Sequence, residues 1–143
     1  MDRPQRSAFA SIGAIDYTVI FVRDMAAMRR FYADVLRFAP IRELSANWIE
    51  YRVGANVLAL ATPGMIPNDV ATPKGSASLQ LAFRVPPPDV DRCAAELAQH
   101  DVTIVSQPTD RPFGHRTLFF RDPDGNLLEI YAEIAPFAAA TPG

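Results

Sequence analysis

Two runs, YTVIFV (17–22) and QLAFRV (80–85), stand at an offset of 63 residues, and each leads into a helical pattern followed by three strand patterns. Such a repeat constrains the fold more than any single motif, because each copy must be one supersecondary unit that packs against the other. In the first copy AIDYTVIFV (14–22) reads as a strand, rich in β-branched and aromatic residues. Asp24 stands where an N-cap belongs, and Met25, Met28, Phe31, Tyr32, Val35 and Leu36 recur at helical spacing through MAAMRRFYADVLRF. Pro40 is expected to help end that helix. PIREL, NWIEYRV and NVLALA follow as short strands, the last two joined at Gly54-Ala55 by a tight hairpin.

The second copy runs in the same order. SLQLAFRV (78–85) is a strand, PPPDVDRCAAELAQHD a helix with Asp89 as its expected cap, and VTIVSQP, GHRTLFFR and NLLEIYAE are strands. NVLA after the first hairpin aligns with NLLE after the second, pairing Ala59 with Glu129 at an offset of 70 residues, so the second copy has the longer loops. The expected fold class is α+β: two βαβββ modules, about 13–62 and 78–134. TPGMIPNDVATPKGSA, with its prolines and glycines, makes 63–77 a linker or a lid. Residues 1–12 read as a flexible leader and 135–143 as a mobile tail.

A formal charge of −2 offers no basic field, which argues against nucleic acid or an anionic membrane as a partner. No apolar run approaches the ~20 residues of a membrane span. The single cysteine, Cys93, cannot form an intramolecular disulfide, and a reducing cytoplasm is the expected location. Cys93 sits in a helical pattern and reads as a buried packing residue rather than a nucleophile. His100 is placed at the end of the second helix, as a dipole-compensating or simply an exposed residue.

Alternation along the strands divides each sheet into two faces. Leu79, Leu81, Phe83 and Val85 share the face expected to meet a helix, as do Leu118 and Phe120, Leu128 and Ile130, and Ile49, Tyr51 and Val53. The opposite faces carry Trp48, Glu50 and Arg52; Gln80, Ala82 and Arg84; His115, Thr117, Phe119 and Arg121; and Leu127, Glu129, Tyr131 and Glu133. Aromatic rings among a few polar groups are the make-up of a small-molecule pocket, although an ordinary antiparallel sheet with one wet face has the same alternation.

DYTVIFVRDMAAMRRFYADVLRF resembles the opening strand and helix of the vicinal oxygen chelate superfamily, and FGHRTLFFRDPDGNLLEIY resembles its closing hairpin. That superfamily includes glyoxalases, bleomycin-resistance proteins and extradiol dioxygenases, and the resemblance spans roughly residues 13 to 134. It implies curved mixed sheets that form a cup with helices on the outer face, a homodimer, and cups built in many members from two subunits. Metal-dependent members place ligands at the positions held here by Tyr17, Ala59, Gln80 and Glu129. Glu129 matches the pattern, Gln80 offers an amide oxygen, Tyr17 replaces a histidine, and Ala59 has no donor. A catalytic divalent site ordinarily takes about three protein ligands and an open position. Gln80 and Glu129, with Tyr17 as a possible third ligand, fall short of that. The expectation is therefore no cofactor, with iron, manganese, nickel or zinc as the metals such a site would take.

Two functions follow from the resemblance. One is a metal-free cup that binds a small organic molecule, with Trp48 and Phe119 stacking on it and Tyr17, Glu50, Arg52, Gln80, Arg84, His115, Glu129 and Tyr131 making further contacts. The other is a lyase, isomerase or dioxygenase acting on vicinal oxygens, with a metal or with Glu129 as base and Tyr17 as acid.

Overall fold

The structure is a computed structural model that describes residues 7–11, 13–64 and 79–138. Most of the segment read as a linker or lid lies outside the described residues. A short 3-10 turn, Ala8–Ser11, precedes the first module. That module comprises β1 (Thr18–Phe21), α1 (Met25–Arg30), a π-helical turn (Phe31–Val35), β2 (Ala39–Ser45), β3 (Trp48–Val53) and β4 (Asn56–Ala61). The second comprises β5 (Gln80–Arg84), α2 (Pro87–Leu97), β6 (Ile104–Arg111), β7 (His115–Arg121) and β8 (Leu127–Glu133). Their sheets have equivalent orders, β1-β4-β3-β2 and β5-β8-β7-β6. The fold is α+β with two βαβββ modules, as expected from the repeat.

Register shows how deep the repeat goes. In the parallel pair β1–β4, Val19 lies opposite Ala59; in β5–β8, Ala82 lies opposite Glu129. Val19 and Ala82 are 63 residues apart, and Ala59 and Glu129 are 70 apart, the two offsets of the sequence alignment.

Local chemistry explains the helix ends, and here some expectations change. Asp24 does cap α1, its carboxylate accepting from the Ala27 N–H at 3.0 Å. Pro40 does not end this helix; it already lies in β2. The stop comes earlier, where the Leu36 N–H donates to Phe31 C=O in a widened turn and Arg37 takes a left-handed φ of 59°. Asp89 is not the cap of α2. Prolines occupy the first helical turn, where no N–H is needed, so Pro86 takes the cap position and Asp89 bonds Arg92 at 3.0 Å. His100 lies beyond the last turn of α2 and is exposed.

The expected core faces are the buried ones. Ile49, Tyr51, Leu58 and Leu60 of the first sheet and Leu118, Phe120, Leu128 and Ile130 of the second join Met28, Phe31 and Tyr32 in one cluster. The first helix and its π turn serve both modules: Phe31 lies against Phe120 with ring centroids 6.4 Å apart, and Phe38 meets Phe83 edge-on at 5.5 Å. The modules therefore share a core through their helix sides.

A buried polar link pins that joint. Asp122, in the turn between β7 and β8, is 4% exposed. Its Oδ1 accepts from the N–H groups of Asp124 and Asn126, both at 3.0 Å. Its Oδ2 accepts from the Tyr32 hydroxyl and the Asn126 amide, both at 2.8 Å. Burial pushes the Asp122 carboxyl up from its ordinary value, while the bonds from Asn126 and Tyr32 pull it back down. Beside it, Asp124 accepts from the Arg23 N–H at 2.7 Å, just after β1. The turn that starts the last strand thus also docks one module on the other.

Candidate functional site

The mixed faces carry the chemistry. On the first sheet, register aligns Val19, Ala59 and Glu50 in one row and Phe21, Ala61 and Trp48 in the next. The Trp48 indole N–H donates to Glu50 Oε2 at 2.9 Å, so the ring leans along β3 towards the row of Ala59. Tyr17, one residue before β1, meets Trp48 edge-on with centroids 6.0 Å apart. Ala59 is fully buried although it belongs to this face. Glu50 also lies 4.0 Å from Arg42 on β2, a weak ion pair whose arginine is exposed. Arg52 is exposed at the end of the same face.

On the second sheet, Ala82, Glu129 and Phe119 share a row. The Gln80 amide donates to Glu129 Oε1 at 3.3 Å, a long bond between partly open groups. Farther along, His115 stacks on Tyr131 at 4.7 Å and meets Phe113 edge-on at 5.1 Å. Arg84 is held by Glu133 at 2.9 Å. Thr117 is not available to a ligand: it is 2% exposed, and its hydroxyl takes the Arg111 Nε–H at 3.0 Å.

The structure therefore brings together Tyr17, Trp48 and Glu50 as one group and Gln80 with Glu129 as another. It adds a stack of Phe113, His115 and Tyr131, of which Phe113 escaped the sequence reading because it lies in the PFGH turn rather than in a strand. No hydrogen bond, ion pair or ring contact joins the first group to the second. Phe119 lies on the expected face, beside Glu129 in register and, among the described residues, without a ring partner.

The donor set does not fit a divalent catalytic centre. Among the described residues, no three His, Cys, Asp or Glu side chains converge as metal ligands. Glu129 is bonded to the amide of Gln80, the Tyr17 ring packs on Trp48, and Ala59 has no donor, so even pooled across two chains these positions supply two conventional ligands.

The sequence profile of the glyoxalase/bleomycin resistance protein/dioxygenase superfamily matches residues 14–130, from the approach to β1 through Ile130 of β8. The chain belongs to that superfamily. Within it, the chain is 30% identical over 122 residues to the virulence protein STM3117 of Salmonella typhimurium, covering 83% of each. It is 30% identical over 125 residues to the uncharacterised protein YaeR of Escherichia coli, covering 83% of this chain and 95% of that one. The crystal structure of STM3117 superposes with a TM-score of 0.65 at 29% identity, over 86% of this chain and 98% of the other. A glyoxalase/bleomycin resistance protein/dioxygenase from Nocardioides reaches a TM-score of 0.74 at 19% identity over 93% and 91%, a likeness of fold. Divalent metals are common in this superfamily, so the residues Tyr17, Ala59, Gln80 and Glu129 are the informative ones. No helix among the described residues is long and apolar enough to cross a membrane.

Proposed function

We propose that this superfamily member binds a small organic molecule on the mixed faces of its sheets, without a resident catalytic metal. The observation that carries the reading is the state of the four ligand positions. Glu129 and Gln80 are bonded to each other, Tyr17 packs on Trp48, and Ala59 has no donor atom. Rings of this kind contribute apolar area and directional stacking worth about 0.5–1.5 kcal/mol per pair. Gln80, Glu129, Glu50 and Arg52 supply the few polar contacts that set orientation. A second copy of the chain completes the enclosure. Tyr17 and Phe21 are each 48% exposed on a face that is open in a single chain.

Trp48 is the only tryptophan, so its emission reports on the first sheet alone. A titration with flat aromatic antibiotics and hydrophobic diketones, in the presence of a chelator, should give a saturable change with at least one class. Silence from every class, or a response that requires an added divalent cation, would overturn the reading.

A further inference from the structure

A cavity of about 300 Å³ opens on the helix side, where the two modules join. Val35, Leu36 and Phe38 of the first module and Phe83, Phe120 and Ile130 of the second are among its apolar walls, and Arg84 of β5 with Cys93 and Glu96 of α2 bring polar atoms to it. Its walls lie on the helix side, because Phe83, Phe120 and Ile130 belong to the opposite alternation from Phe119 and Glu129; of the mixed-face candidates Arg84 also borders it. An apolar cavity of 150 Å³ takes one benzene, so this one has room for a ring and a short chain.

The charges around it select the polar end of a ligand. Arg84 is engaged by Glu133 at 2.9 Å, and Arg92 by Asp89 at 3.0 Å. The Glu96 carboxylate makes no hydrogen bond or ion pair among the described residues, and it lines both this cavity and the adjoining hollow bounded by Val85, Asp89, Arg92 and Cys93. Its field reaches the wall: after burial, the charge of Glu96 is the next cause that pushes the Cys93 thiol up. An anion entering here would meet an unpaired carboxylate. A cation would neutralise it.

We propose that this cavity is a second ligand site, selective for small amphiphilic amines, with the apolar body between Phe38, Phe83 and Phe120 and the ammonium at Glu96. Cys93 is the only cysteine and lines this cavity, whereas Trp48 lies on the mixed face, so two single-copy reporters separate this site from the one proposed above.

The test is the rate of Cys93 alkylation by iodoacetamide in the intact protein, with 2-phenylethylamine, 2-phenylethanol or 3-phenylpropanoate present and glutathione as the reference thiol. The amine should slow Cys93 alkylation saturably, the alcohol less, and the carboxylate least, with Trp48 emission unchanged. Glu96 is exposed, so Glu96→Gln leaves the fold intact. It should raise the half-protecting amine concentration roughly two- to fivefold, as loss of a partly exposed ion pair does, and leave the alcohol's unchanged. No protection by the amine, equal protection by the carboxylate, or an indifferent Glu96→Gln would overturn the proposal. A Trp48 response that tracks protection would place the amine on the sheet face and overturn it as well.

Discussion

Tyr32→Phe removes one oxygen atom from the joint between the modules and leaves the ring packing in place. Tyr32 is fully buried, edge-on to Phe31 at 5.1 Å and stacked on Phe38 at 6.0 Å, and phenylalanine keeps both contacts. What is lost is the bond to Asp122 Oδ2 at 2.8 Å, a hydrogen bond to a charged acceptor worth about 1.5–3 kcal/mol net. The loss should depend on pH with a definite sign. The folded-state value of Asp122 is raised above its ordinary 3.8, so its contribution is fully present below the ordinary value and is lost as pH rises through the folded value. Tyr32 is one of the groups that pull that value down, so Tyr32→Phe raises it further and widens the loss at neutral pH. With Asp122 protonated, the missing bond is a neutral one worth about 0.5–1.5 kcal/mol. Urea unfolding of both proteins at about pH 7 and about pH 3.5, either side of the carboxyl range, measures the two costs. A cost under about 0.5 kcal/mol at neutral pH, or a larger cost in acid than at neutrality, would refute the assignment of this bond as the pin of the joint.

Two backbone positions give further tests by the same unfolding assay. Gly114 has φ 106°, and a Cβ there would stand 3.0 Å from Ile134 O and 3.2 Å from Pro136 Cγ, so Gly114→Ala should cost about 1–3 kcal/mol. Arg37 holds a left-handed φ of 59° at the end of the first helix, a conformation that costs an L-residue about 1–2 kcal/mol. Arg37→Gly relieves that strain, offset by about 0.5–1 kcal/mol of added chain entropy, so the net gain should be about 0.5–1 kcal/mol.

The faces of the sheets were legible because alternation has a period of two, and one buried side fixes it. Ile49 and Tyr51 face inward and Trp48 and Glu50 outward, as the pattern requires. The equivalence of Ala59 and Glu129 was legible because two anchored strands left the loops as the only place for the offset to change. Less could be read where partners lie far apart in the chain. Asp122 opens a DPDGN sequence that by itself reads only as a turn; its bond to Tyr32 spans 90 residues, and no local pattern announces it. Similarly, the helix stop at Arg37 depends on a backbone angle that an arginine does not advertise. At the candidate site, the sequence named the residues of each face but not their pairing. Whether Glu129 meets Gln80 or a distant tyrosine depends on rotamers and on the relative placement of the modules.

The account rests most directly on the claim that Glu129 faces a ligand site without a full set of metal ligands. Elemental analysis of protein purified without chelator, beside Glu129→Ala prepared in the same way, measures this. The prediction is well below one equivalent of iron, manganese, nickel or zinc in both proteins. One tightly held equivalent in the unaltered protein that disappears in Glu129→Ala would contradict it.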